Sequence, residues 1–92
     1  MDLPSSLELQ SQILALLNDQ DVHGLPEVKD AIARKFEISN DDRKKLSKNK
    51  RPVFETSIIH SLSMLRRSGY IINQKRGNFK ITKSGINRLK NL

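Results

Sequence analysis

The feature of the sequence that most restricts its fold is a change in the period of the apolar residues at Gly69. Before Gly69 the apolar residues recur every three to four positions, which is the spacing of amphipathic helices. After Gly69 they alternate with polar residues, which is the spacing of β-strands. A chain of 92 residues has room for one hydrophobic core. The order therefore predicts a mainly α domain with a small antiparallel β-hairpin near its end.

Helical patterns precede this change of period. The first helix is predicted after a capping box formed by Ser5 and Glu8. The second begins at Pro26, whose fixed φ suits a first helical turn. A short helical turn is expected after Ser39, ending near Leu46. Residues predicted to face the core in the first two helices are Leu9, Ile13, Leu16, Leu17, Val28, Ala31, Ile32 and Phe36. Residues predicted to face water along the second helix are Lys29, Asp30, Arg34 and Lys35. Residues 22–25 could form a strand of two or three residues.

The third full helix is predicted over about residues 53–68, with Gly69 as a left-handed C-terminal cap. Its inward stripe consists of Phe54, Ile58, Leu62 and Leu65. The opposite face is small, polar or basic, without an acid, and consists of Thr56, His60, Ser63 and Arg67. Such a face can approach base edges in a DNA groove. Ile59 and Met64 flank this face and are expected to be buried.

A β-hairpin is predicted over about residues 70–82, with short strands at 70–74 and 79–82. Its tip carries two adjacent cations, Lys75 and Arg76, followed by Gly77 and Asn78, which can adopt the positive φ of a tight turn. We expect nothing in the chain to pack against this tip, and we expect the base of the hairpin to rest on the third helix. A last short helix capped by Thr82 should follow.

Three helices followed by a hairpin with a basic tip are the order of a winged helix-turn-helix. We expect residues 1–92 to form a single winged-helix DNA-binding domain. The helix at 53–68 would be the recognition helix, and the hairpin at 70–82 would be the wing.

The charge of the chain supports a polyanionic partner. The net charge is +7, but residues 43–92 carry fourteen Lys and Arg against a single acid, Glu55, for a net of +13. Residues 1–42 carry three basic residues against nine acids, for a net of −6. Unless the fold interleaves the two halves, the domain has one electropositive side, which attracts double-stranded DNA.

The sequence predicts neither catalysis nor a bound metal or cofactor. It has no cysteine, and its two histidines, His23 and His60, lack metal-ligand spacing. Four of its acids, Asp19, Asp21, Asp41 and Asp42, fall in turn or capping sequences, and no nucleophile elbow or glycine-rich phosphate loop is present. His23, in a polar turn, is interpreted as a surface residue. We expect a binding domain rather than an enzyme.

No apolar run approaches the ~20 residues of a membrane span. The start of the chain lacks the basic and apolar regions of a signal peptide. We expect a cytoplasmic protein without a membrane partner.

Candidate DNA contacts fall into two groups. Small, polar or planar residues near the start of the recognition helix are expected to contact bases: Thr56, Ser57, His60 and Ser63. Basic or amide residues in the preceding loop, at the end of the helix and in the wing are expected to contact the DNA backbone: Lys48, Asn49, Lys50, Arg51, Arg67, Lys75, Arg76 and Asn78.

Three segments, at residues 46–55, 65–71 and 76–85, resemble the amino-terminal domain of Mrr-type restriction endonucleases. That family shows a short polar loop, a helix ending in L-K/R-x-A/S-G, an R-G wing tip and a closing I-T-x-x-G. The upstream segment 26–42 also fits, so the resemblance covers about residues 14–89. It implies the target-recognition module of a type IV, modification-dependent restriction system. It also implies a nuclease domain on a longer chain and DNA containing methylated cytosine.

Two departures from the family pattern matter. Family members often carry a tryptophan or a further arginine in the middle of the third helix, where this chain has residues 58–61, Ile-Ile-His-Ser. Their base preference is therefore not carried over. A nuclease of this kind also needs several carboxylates to hold Mg²⁺, whereas Glu55 is the only acid after Asp42.

The residues leave two alternatives to the restriction module. One is a winged-helix transcriptional regulator, which would share the fold and most contacts. The other is a winged helix that docks proteins, since the fold alone does not determine function.

Overall fold

The computed structural model describes residues 5–46, 49, 50 and 52–91. The described elements begin with two helices separated by a short strand, continue with two further helices and a pair of strands, and end with a helix. The elements are α1 (Ser6–Leu17), β1 (His23–Gly24), α2 (Leu25–Lys35), α3 (Asn40–Arg43), α4 (Val53–Arg67), β2 (Ile71–Lys75), β3 (Asn78–Ile81) and α5 (Lys83–Lys90). The helix predicted over residues 53–68 is α4.

The three strands form one antiparallel sheet in the order β1-β3-β2. In the hairpin, Ile71 is opposite Ile81 and Lys75 is opposite Asn78, with an irregularity between Asn73 and Lys75. The turn therefore consists of Arg76 and Gly77, and Gly77 has a φ of 80°. The sequence allowed a positive φ at both Gly77 and Asn78. Gly77 has one, whereas Asn78 does not. The third strand, β1, lies in the segment 22–25.

One hydrophobic core holds these elements together. The helix α1 packs against α2, α4, α5 and β3. The buried apolar residues are Leu9, Ile13, Leu14, Leu17, Val28, Ile32, Ala33, Ile38, Phe54, Ile58, Leu62, Leu65, Ile71 and Ile81. Ile86 and Leu89 of α5 pack against this cluster, as predicted.

The buried stripes of α1 and α2 differ from the prediction at five positions. Leu14 and Ala33 are buried, whereas Leu16 and Ala31 are half-buried and Phe36 packs only at the edge of the core. Leu16 and Ala31 line an open groove between the outer edges of the two helices. The sequence pattern predicted two amphipathic helices correctly, but the angle at which they meet decides which flank is covered.

The short helix α3 ends at Arg43, three residues before the predicted end. Its cap is as predicted, since the Ser39 hydroxyl accepts a hydrogen bond of 3.1 Å from the Asp42 amide. Beyond Arg43 the chain opens into a loop that is closed at its base. Leu46 pairs with Pro52 in an isolated antiparallel bridge, and the Val53 amide donates to the Lys45 carbonyl at 3.0 Å.

The helix α4 follows the prediction closely. Phe54, Ile58, Leu62 and Leu65 are buried, so the opposite face is turned away from the core. The chain leaves the helix through Gly69, whose φ of 80° is the predicted left-handed cap. The expectation that Ile59 and Met64 are buried is wrong. They are 47% and 37% exposed, because α1, α3 and β2 cover the opposite side of α4 and leave its flanks open. The burial pattern of α4 therefore fixes which of its faces meets solvent.

The end of the hairpin is locked to the start of α5. The Thr82 hydroxyl accepts from the Gly85 amide at 3.1 Å and donates to the Gly69 carbonyl at 2.6 Å. The Thr82 amide donates to the Tyr70 carbonyl at 2.9 Å. The helix approaches so closely that a Cβ on Gly85 would lie 2.2 Å from the Tyr70 carbonyl oxygen. This junction joins both strands of the hairpin to α5.

Together these elements form a winged helix-turn-helix: a mostly helical body, an amphipathic helix with an outward face, and a small antiparallel hairpin beside it. The predicted fold class is confirmed.

We expect Gly85→Ala to lower the free energy of unfolding by about 1–3 kcal/mol, because the added methyl group overlaps backbone that cannot move without shifting the hairpin. The exposed neighbour provides a matched control, since Ser84→Ala should change stability by less than about 0.5 kcal/mol. Urea unfolding followed by circular dichroism measures both. Alanine is the better helix former, so a Gly85→Ala protein at least as stable as the parent would contradict the close approach.

Candidate nucleic-acid interface

The outward face of α4 presents most of the residues predicted to contact bases. Thr56, His60 and Arg67 are exposed, while Ser57 and Ser63 are half-buried. Thr56, His60, Ser63 and Arg67 share one face because they are separated by three or four positions. Ser57 is one position beyond Thr56, about 100° around the helix, and therefore lies on a flank. The face is polar and carries no acid.

The loop before α4 is brought to the amino-terminal end of that face. The bridge between Leu46 and Pro52 closes the loop directly before Val53, the first residue of α4. Asn49 and Lys50 are exposed in this loop, and Lys50 has a positive φ of 58°. The other two predicted contacts of this loop, Lys48 and Arg51, lie outside the described residues.

Charged contacts from α2 hold the start of α4. Lys29 Nζ lies 3.2 Å from Glu55 Oε1, although Lys29 was expected to face water. Its aliphatic stem can lie along the helices while its ammonium reaches Glu55, so its side chain is only 17% exposed. Glu55 is the one acid among residues 43–92, and its carboxylate is paired with Lys29.

Arg43 makes a second connection at this end of α4. Its guanidinium donates to Asp30 Oδ1 at 3.0 Å and lies 5.5 Å from the centre of the Phe54 ring. Arg43 thereby links α3 to both α2 and α4, so we assign it a structural role.

The wing presents its cations at the turn. Lys75 and Arg76 are exposed, and Asn78 is half-buried in β3. The expectation that nothing packs against the tip is wrong. The Leu25 amide donates to the Gly77 carbonyl at 2.8 Å, and β1 pairs with the first two residues of β3. The sequence did not reveal this contact because β1 is only two residues long.

A groove of about 230 Å³ separates α4 from the wing. On the α4 side it is lined by Ile59, Ser63 and Arg66, which share one flank of the helix. On the wing side it is lined by Asn73 and Phe79, which face each other across β2 and β3. Its other lining residues are Leu25 and Leu62. Of these residues, only Ser63 was predicted from the sequence to contact DNA.

His23 is not the plain surface residue that the sequence suggested. Its side chain is 12% exposed and lies between two carboxylates. Its Nε2 is 2.8 Å from Asp19 Oδ2, and its Nδ1 contacts Glu27 Oε2. A neutral imidazole has one N–H donor, so both contacts are satisfied together only by the imidazolium.

The two carboxylates also explain the direction of the His23 pKa. Partial burial opposes the charged form, but the hydrogen bonds to Asp19 and Glu27 outweigh it and raise the pKa of His23. Conversely, hydrogen bonds from the Asp21 amide and from His23 lower the pKa of Asp19. The charged cluster lies beside β1, which pairs with the wing, so acids of the first half of the chain interrupt the basic surface at this edge.

The cluster is not a metal site. Asp19 and Glu27 contact opposite nitrogens of the His23 ring, so their oxygens do not converge on one point. No group of three His, Asp or Glu side chains suited to a metal ion occurs elsewhere in the described part of the chain either. None of the helices described there is long and apolar enough to cross a membrane.

The fold and this surface define a winged helix-turn-helix whose outward helix is flanked by a basic loop and a basic wing. Residues 8–91 match the family described as the Mrr N-terminal domain, so the chain belongs to that family. The resemblance of the sequence to this family is thereby confirmed over nearly the whole chain. No curated protein and no solved structure matches the chain.

We expect the protein to lose stability as the pH rises above about 6.5, because the folded-state pKa of His23 lies above its unfolded value. The stabilisation is complete below the unfolded pKa of about 6.5 and is lost as the pH passes through the higher folded pKa. Thermal unfolding at several pH values measures it. In the His23→Gln variant this part of the pH dependence should disappear, whereas His60→Gln, at an exposed position of α4, should retain it. Parallel curves for the parent and His23→Gln would contradict the bridged imidazolium.

Proposed function

We propose that residues 1–92 act as one double-stranded DNA-binding domain, the target-recognition module of an Mrr-like restriction protein. One observation carries the proposal: α4 turns a polar, acid-free face to solvent between a basic loop and a basic wing. The burial of Phe54, Ile58, Leu62 and Leu65 supports this orientation. A helix presented in this way can enter the major groove, where base pairs are distinguishable.

The proposed roles follow from position on this surface. Thr56, Ser57, His60 and Ser63 would contact base edges, with Thr56 and His60 at the centre of the exposed face. Contacts to the DNA backbone would come from the loop, the end of α4 and the wing: Lys48, Asn49, Lys50, Arg51, Arg67, Lys75, Arg76 and Asn78. The wing turn would direct Arg76 towards the adjacent minor groove, where the negative potential favours arginine.

Membership of the Mrr N-terminal domain family associates the chain with restriction. We propose that DNA cleavage belongs to a nuclease domain of the full-length protein and that this domain contributes target binding without a cofactor. The family resemblance supports DNA containing methylated cytosine as the target. Because the target of restriction is DNA inside the cell, the proposal includes a cytoplasmic location.

Protein docking is the second candidate function, and the exposed Ile59 and Met64 are the observation that favours it. Apolar side chains on both flanks of α4 could contact a protein partner. The two functions differ in their response to salt, because phosphate contacts release counterions and apolar contacts do not.

Binding of a fluorescent duplex of about 20 base pairs, measured by anisotropy at several salt concentrations, tests the proposal. Six phosphate contacts, from Lys48, Lys50, Arg51, Arg67, Lys75 and Arg76, predict a slope of log K against log salt of roughly −5. Micromolar binding is expected at low salt. A slope near zero, or no binding at about 50 mM salt, would contradict it.

A further inference from the structure

We propose that the groove between α4 and the wing binds the sugar–phosphate backbone of one DNA strand. Arg66, Ser63 and Asn73 would be the donors to its phosphate. The inference rests on the proposed DNA-binding function and adds a site to it. It assigns a role to Arg66 and Asn73, and it changes the expected role of Ser63 from a base contact to a backbone contact.

The groove lies where a DNA strand would pass between α4 and the wing. In duplex DNA a single sugar–phosphate strand separates the major groove from the neighbouring minor groove. If α4 lies in the major groove and the wing turn at Arg76 reaches the minor groove, that strand passes between helix and wing. The groove runs between the flank of α4 and the paired residues Asn73 and Phe79. It is therefore where the strand must lie.

The chemistry of the lining fits such a strand. A sugar–phosphate strand combines anionic phosphates with the less polar faces of the deoxyribose rings. The groove combines apolar surface from Ile59 and Phe79 with donors from Ser63, Arg66 and Asn73. None of its lining residues in the described part of the chain is acidic. An arginine can bind a phosphate through two parallel hydrogen bonds, which suits Arg66 on the exposed side of the groove.

The same arrangement accounts for the exposure of Ile59. An isoleucine that is 47% exposed on a helix flank meets water in the free protein. Contact with deoxyribose would remove part of that apolar surface from water, which favours binding without specifying a base sequence. The inferred site therefore sets the position of α4 on the duplex rather than its choice of bases.

The first experiment uses the absence of cysteine from the chain. A single cysteine is introduced by Asn73→Cys, on the groove side of β2, or by Ile72→Cys, on the opposite face of the sheet. Both positions are exposed, so neither substitution disturbs the core. The rate of alkylation by iodoacetamide is then measured with and without a duplex of about 20 base pairs, the length used for the binding assay. With DNA at ten times its dissociation constant, the Asn73→Cys variant should react roughly tenfold more slowly. The Ile72→Cys variant should react at an unchanged rate.

The second experiment compares two exposed arginines by anisotropy on the same duplex. Arg66→Ala should weaken binding roughly five- to tenfold at low salt and reduce the magnitude of the salt slope by about 1. The matched control is Arg88→Ala on α5, which removes the same charge away from the groove and should change binding much less.

These results separate the inferred site from the proposed function. Steep salt-dependent binding with an unprotected Asn73→Cys variant, or with equal losses for Arg66→Ala and Arg88→Ala, would overturn the groove site and leave DNA binding intact. Absence of duplex binding by the parent protein would overturn both. Protection at Asn73→Cys together with a selective loss at Arg66→Ala would support the site.

Discussion

The burial of one face of α4 is the interaction on which the rest of the structure depends. Phe54, Ile58, Leu62 and Leu65 lie in the single core, against residues contributed by α1, α2 and the sheet. Removing this apolar surface from water is the dominant favourable term in holding α4, and it also determines which residues face outward. Burial of the apolar face of α4 therefore also determines which residues form its polar, exposed face. The residues of α4 that are proposed to contact DNA are exposed because the buried residues of the helix lie on its opposite face.

Smaller polar contacts set the position of the elements around α4. At its start, the Lys29–Glu55 ion pair joins α2 to α4, and the closed loop carries Lys50 to the same end. At the other end, Gly85 lets α5 approach the Tyr70 carbonyl, which fixes the base of the wing. The tip of the wing is held by β1 and by the amide of Leu25, so the wing is supported at both its base and its turn.

The sequence predicted what depends on local pattern. The cap at Ser39, the inward stripe of α4 and the left-handed Gly69 all follow from residue type and spacing within one element. What it missed depends on neighbours distant in the chain. The exposure of Ile59 depends on how much of α4 its neighbours cover, and the support of the wing tip depends on a strand two residues long. The ion pairs of His23 depend on Asp19 and Glu27, which are four residues away in the two directions along the chain. That spacing was visible in the sequence, but a turn does not bring such residues together in any regular way.

The most direct test of the account is to locate the DNA contact surface by NMR, from the backbone amide shifts of the protein titrated with a short duplex. We expect the shifted amides to cluster along the outward face of α4, at Thr56, His60 and Arg67, and at the wing turn, at Arg76 and Gly77. The resonances of amides on the outer side of α5 should not shift. Shifts concentrated on α1 or α5, with α4 and the wing unchanged, would contradict it.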